Sequence, residues 1–120
     1  MARLAAQRSR SGQLLPRYAA PVFSALGDDT RLAIVARLCS SGPLSIVSLT
    51  EGTRVTRQAV TKHLHTLAAA GLVRGNREGR EQVWEIQPKC LIEARRYLDL
   101  ISDQWDEVIE RLRALVEKDT

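Results

Sequence analysis

Aromatic side chains make up only 4% of this 120-residue chain: one Phe, two Trp and two Tyr. A single-strand nucleic-acid binder stacks bases on aromatics set among basic groups, so so sparse a supply argues against that class. Cysteine is scarcer still. Cys39 and Cys90 lie far apart and form neither a CxxC pair nor a disulfide framework, which fits a reducing compartment. No apolar run is long enough to span a bilayer, and the N-terminus, MARLAAQRSRSGQLLPRY, has no continuous apolar core of the secretory kind. A cytoplasmic protein without a membrane partner is the expectation. Also missing are a clustered nucleophile and base, paired catalytic carboxylates and a phosphate-cradling glycine loop, so no enzymatic role is expected.

What is present is unevenly placed. The net charge of +4 divides into +4 over residues 1–20, −1 over 21–53, +5 over 54–80 and −4 over 81–120. A basic block in the middle of a small domain points to phosphate contacts and salt-dependent binding, with duplex DNA the better match. With 44% hydrophobic residues the chain can support one core, although a domain this small gains much from oligomerisation.

The basic block has internal order. Val60, Leu64, Leu67 and Leu72 recur at helical spacing, and Thr56 can cap the helix that Gly71 ends. The other faces carry Arg57, Gln58, Thr61, Lys62 and His65. Arginine matches the two acceptors of guanine, glutamine matches adenine, and a threonine methyl can meet the thymine methyl. A two-strand hairpin follows, running from Leu72 to Arg77, turning at Glu78-Gly79 and returning through Val83 to Ile86. Arg74, Arg77 and Arg80 lie on or beside it, suited to phosphates or a narrow minor groove. Ahead of this helix, residues 45–50 read as a short helix capped by Ser45, with a turn over 51–54. Together these segments predict a helix-turn-helix followed by a β-wing.

Further upstream, residues 1–20 lack a sustained period and are expected to form a basic arm, with the folded domain spanning 21–120. Pro21 would open a short helix through Leu26, Gly27 would break it, and Asp28 or Asp29 would cap the next. Leu44 would add a short strand beside the wing. From Pro88 a long final helix presents Leu91, Ala94, Leu98, Ile101, Trp105, Val108, Leu112 and Leu115 in alternating steps of 3 and 4, the pattern of a helix–helix seam. The fold class is thus mainly α with a small β-hairpin: a winged helix-turn-helix.

The run VTRQAVTKHLHTLAAAGLV, followed by REGRE and a strand, together with FSALGDDTRLAIVARL upstream, resembles the ArsR-type winged helix-turn-helix repressors. The resemblance extends from about Pro21 to the C-terminus. It implies a homodimer built by the terminal helices, with Leu91, Leu98, Ile101, Trp105, Val108 and Leu112 in the seam, and a palindromic or near-palindromic operator in double-stranded DNA. Thr56, Arg57, Gln58, Thr61, Lys62, His65, Arg77 and Arg80 would be the DNA-contacting residues. Arg57 stands where many relatives have glutamine, and Gln58 where many have proline or serine, so base preference does not carry over.

Metal-sensing members commonly carry cysteines on the first helix of the helix-turn-helix, or a histidine and carboxylate set on the last helix. Here the first position reads Ser45-Ile46-Val47-Ser48-Leu49 and the last helix has no histidine, so neither metal nor cofactor is expected. His63 and His65, two residues apart on one helix, point in different directions and make poor joint ligands, with His63 assigned to packing or a phosphate. Two other roles stay open: a winged-helix protein-interaction module, and a redox- or metal-responsive sensor repressor using Cys39 and Cys90. The seam can be tested directly: replacing Leu98 or Ile101 with glutamate is expected to yield monomers in sedimentation, and a dimer that persists would contradict it.

Overall fold

The computed structural model describes residues 16–118. Among these residues five helices and three strands follow in the order α1 (Pro16–Leu26), α2 (Asp29–Ser41), β1 (Leu44–Ser45), α3 (Ile46–Thr50), α4 (Arg57–Ala69), β2 (Val73–Glu78), β3 (Glu81–Ile86) and α5 (Pro88–Lys118). The strands form one antiparallel sheet in the order β1-β3-β2, with Leu44 opposite Trp84 and Gly75 opposite Trp84 on its other side. The expected short strand at Leu44 is therefore present, attached to the root of the wing.

The helix boundaries follow local chemistry. Asp28 caps α2 by accepting from the Arg31 N–H, Ser45 caps α3 by accepting from Ser48, and Thr56 caps α4 by accepting from Ala59. Beyond α4, Gly71 takes a φ of +85°, a left-handed conformation that glycine adopts without steric cost, and turns the chain into β2. The wing loop differs by one residue from the expected turn. Glu78 pairs with Glu81, so the loop is Gly79-Arg80, with the positive φ at Gly79.

A second difference concerns the N-terminal boundary. Helix α1 begins at Pro16, not at Pro21, and Ala19 is buried within it. Residues 16–20 thus belong to the folded domain, while the rest of the expected arm lies outside the described residues. Either proline could open a helix, because its missing N–H would be unbonded there anyway. Pro21 instead sits inside α1, on its exposed side, at the expense of one intrahelical bond.

The core gathers Ile34, Val35 and Leu38 of α2, Leu49 of α3, Val60, Leu64 and Leu67 of α4, and Leu72, Val73 and Trp84 of the sheet. Ala94 brings in the start of α5, where Phe23 and Tyr97 set their rings 6.0 Å apart across α1 and α5. At about 1.5 Å per residue, the 31 residues of α5 extend some 46 Å, well past this core. Leu98, Trp105, Leu112 and Leu115 are more than half exposed along it.

Leu64 is fully buried at the centre of α4. Leu64→Ala is expected to lower unfolding free energy by about 2–5 kcal/mol in urea titrations, against at most about 0.5 for the exposed Thr66→Ala. Equal midpoints for the two variants would show that α4 is not anchored as described.

Candidate nucleic-acid interface

Helix α4 is two-sided because its apolar residues keep helical spacing. Val60, Leu64 and Leu67 are 0% exposed, whereas Arg57, Gln58, Lys62 and His65 all lie on the surface. Thr56 is also exposed, although its hydroxyl is engaged as the cap. Thr61 is half-buried and donates its hydroxyl to the Arg57 carbonyl at 2.9 Å, which leaves its methyl as the free end. The six residues expected on this helix are thus found along one element, joined by the exposed Thr66, which the sequence reading passed over.

The seat of α3 on α2 is set partly by a residue that no sequence pattern flagged. Arg37 of α2 donates from Nη1 to the carbonyls of Leu49 and Glu51, at 3.1 and 3.2 Å, and from Nη2 to that of Ser48 at 3.0 Å. Those carbonyls end a five-residue helix too short to satisfy them internally, so one guanidinium closes α3 and ties it to α2. Periodicity cannot reveal such a bond, since the partners lie 11 to 14 residues away.

Alternation along the strands divides the arginines of the wing. Arg74 faces Glu85 across the ladder, on the side away from Trp84, and its Nη2 donates to Glu85 Oε1 at 2.7 Å. Asn76 donates to the same oxygen at 2.7 Å. The Arg74 hydrogen bond, helped by Asn76, holds the Glu85 carboxyl below its ordinary pKa. Arg77 and Gln82 are paired across the ladder on the other face, the one that Trp84 shares and that meets α4 at its root. Arg77 and Arg80 are exposed, with no internal ion pair among the described residues. Of three arginines that look alike in sequence, one is neutralised at home and two are available.

Between α4 and the wing lies an open notch of about 470 Å³, bounded by His65, Ala68, Gly75, Gln82 and Trp84. Its floor leaves little room for a side chain. A Cβ on Gly75 would stand 2.7 Å from Gln82 Nε2 and 3.2 Å from the Trp84 ring. Gln82 is a polar group of this surface that the sequence reading missed; only the strand register puts it on the α4 side.

The remaining expectations concern other parts of the molecule. Leu98, Trp105 and Leu112 of the seam are exposed, and Leu91, Ile101 and Val108 are half-buried, so the stripe continues outward from the face that docks on α1. Cys39 is exposed on α2. Cys90 is half-buried at the start of α5, where its thiol donates to the Ala70 carbonyl at 3.5 Å and burial pushes its pKa up. The two cysteines are not joined. Among the described residues no three His, Cys, Asp or Glu side chains cluster as a metal site, and no helix is long and apolar enough to cross a membrane.

Comparison with known proteins gives this geometry a family. Residues 26–76, from the end of α1 to the middle of β2, match the family model described as a helix-turn-helix domain. The HTH-type transcriptional regulator Rv2034 of Mycobacterium tuberculosis is 40% identical over 77 residues, which are 64% of this chain and 71% of that protein. The structure of an ArsR-like transcriptional regulator from Rhodococcus sp. RHA1 superposes with a TM-score of 0.73 at 34% identity, over 82% of this chain and 92% of the other. A homodimeric winged helix-turn-helix DNA-binding domain from Mycobacterium bovis, a possible ArsR-family regulator, superposes at 0.58 with 26% identity, over 76% and 81% of the two chains. Fold, motif order and sequence agree, and the chain belongs to the ArsR-type winged helix-turn-helix transcriptional regulators.

Proposed function

We propose that this regulator is a homodimeric repressor that acts by occupying promoter DNA, its own promoter included, at a palindromic or near-palindromic operator in the cytoplasm. The observation that carries the proposal is the outer face of α4, where Arg57, Gln58, Lys62 and His65 are exposed over a fully buried apolar face. Nothing in such a helix needs those side chains for folding. In this reading Arg57, Gln58, Thr61 and Lys62 meet base edges in the major groove, Thr56 and His65 meet the backbone, and Arg77 and Arg80 hold the wing to phosphates or the minor groove.

The uncovered apolar stripe on α5 supports a partner helix, and a second copy is the simplest partner because it carries the same stripe. Two-fold symmetry then sets two α4 helices on successive major-groove faces, which is the reason for expecting a palindrome. Occupancy alone excludes polymerase, so neither catalysis nor a cofactor is called for. A winged-helix module that binds only another protein would leave the basic face without a purpose.

The test uses a duplex selected by the protein from a random-sequence library. Alanine at both Arg57 and Lys62 should weaken its binding by about tenfold or more per residue, while sedimentation still shows a dimer. Undiminished binding by that double variant would refute the assignment of α4. The wing is tested separately. Arg77→Ala and Arg80→Ala should each reduce the slope of log affinity against log salt by about one, whereas Arg74→Ala, whose charge Glu85 already holds, should leave the slope nearly unchanged. An equal loss from all three would show that the Glu85 pairing does not matter on DNA.

A further inference from the structure

His63 is the one ionisable side chain of α4 turned inward, half-buried against the junction of α1 and α2. Its Nδ1 lies 3.3 Å from Nη1 of Arg31. The same guanidinium donates from Nε to the Ala25 carbonyl at 2.7 Å and from Nη2 to the Ser24 carbonyl at 3.5 Å, both in the last turn of α1. The backbone N–H of Arg31 is in turn bonded to Asp28 Oδ2 at 3.0 Å, and that oxygen stands 4.0 Å from His63 Nδ1. One arginine thus joins the end of α1, the start of α2 and the inner flank of α4.

A hydrogen bond at this contact depends on the state of the ring. A guanidinium has only donors, so a hydrogen bond here needs the Nδ1 lone pair, which a neutral ring with its proton on Nε2 offers. Protonation removes that acceptor and sets two cations 3.3 Å apart, with the Asp28 carboxylate as the nearest relief. Among the surrounding elements, α5 carries the buried Glu93, which has interactions of its own. Helix α3 has no ionisable side chain, Arg37 is bound at the end of α3, Arg74 of β2 is paired on the far face of the wing, Asp29 is exposed, and Arg17 is at the opposite end of α1.

We propose that His63 is a positioning residue: neutral and bonded to Arg31, it seats α4 at the angle the operator requires, and its protonation releases the operator. The proposal rests on the DNA-binding reading above. It gives the regulator a proton-sensitive input on the inner side of its recognition helix, away from the surface that would meet DNA.

The test compares wild type, His63→Asn and His63→Ala on the duplex selected by the wild type and on a scrambled duplex of equal length. Asparagine can place its amide oxygen where Nδ1 stands, but it does not titrate. At about pH 8, His63→Asn should bind the selected duplex nearly as wild type does, and His63→Ala about tenfold more weakly, with dimer and helicity intact. On going to about pH 5.5, wild type should lose affinity relative to His63→Asn. The exposed His65 is present in both proteins, so their ratio isolates His63.

Identical pH profiles for wild type and His63→Asn would overturn the proposal, as would undiminished binding by His63→Ala at the higher pH. Should His63→Ala not fold, the asparagine profile alone decides. Failure of the library to yield any duplex preferred over the scrambled one would overturn the DNA-binding reading and this proposal with it.

Discussion

The burial of one face of α4 is the constraint on which the rest of the structure depends. Val60, Leu64 and Leu67 are fully excluded from water, and each contributes about 1.5–3 kcal/mol on an area basis, an upper bound because the unfolded chain is already partly collapsed. That face needs α2 and α3 beneath it and the wing root at its end. Once it is buried, Lys62, His65 and Thr66 between these positions have only the outside left. The exposed polar surface of α4 is therefore the complement of its core surface, and both come from one spacing of apolar residues.

The polar ties add orientation to that attachment. Hydrophobic burial has little directional preference, so it holds α4 down without fixing its rotation about the contact. Arg37 fixes α3 to α2 through three carbonyls, and Arg31 reaches from the end of α1 to the inner flank of α4. The wing shows the same division of labour in a sheet. Its alternation sends Arg74 to Glu85 on one face and leaves Arg77 and Gln82 on the other, so charge is spent on architecture in one place and presented in another.

Features governed by neighbouring residues were legible in the sequence: the caps at Ser45 and Thr56, the stop at Gly71, the hairpin over residues 73–86 and the long helix from Pro88. The order of these elements was enough to suggest the family. Features governed by distant partners were not legible. Arg31, Arg37 and Arg74 read as ordinary basic residues until the fold brings carbonyls, a histidine and a carboxylate to them. Gln82 gains significance only through its register opposite Arg77 and its position over Gly75. The start of α1 was misplaced because two prolines, Pro16 and Pro21, offered the same local signal and the helix includes both.

In the proposed function, α4 and the wing read duplex DNA by sequence and do not merely attract it. Fluorescence anisotropy on a library-selected duplex and on its scrambled counterpart, across a salt series, tests this most directly. Salt-dependent binding to both is expected, with the selected duplex tighter by about a thousandfold or more at moderate salt and a gap that persists as salt rises. Two curves that fall together would contradict it, since they would leave only the attraction of a basic surface for phosphate.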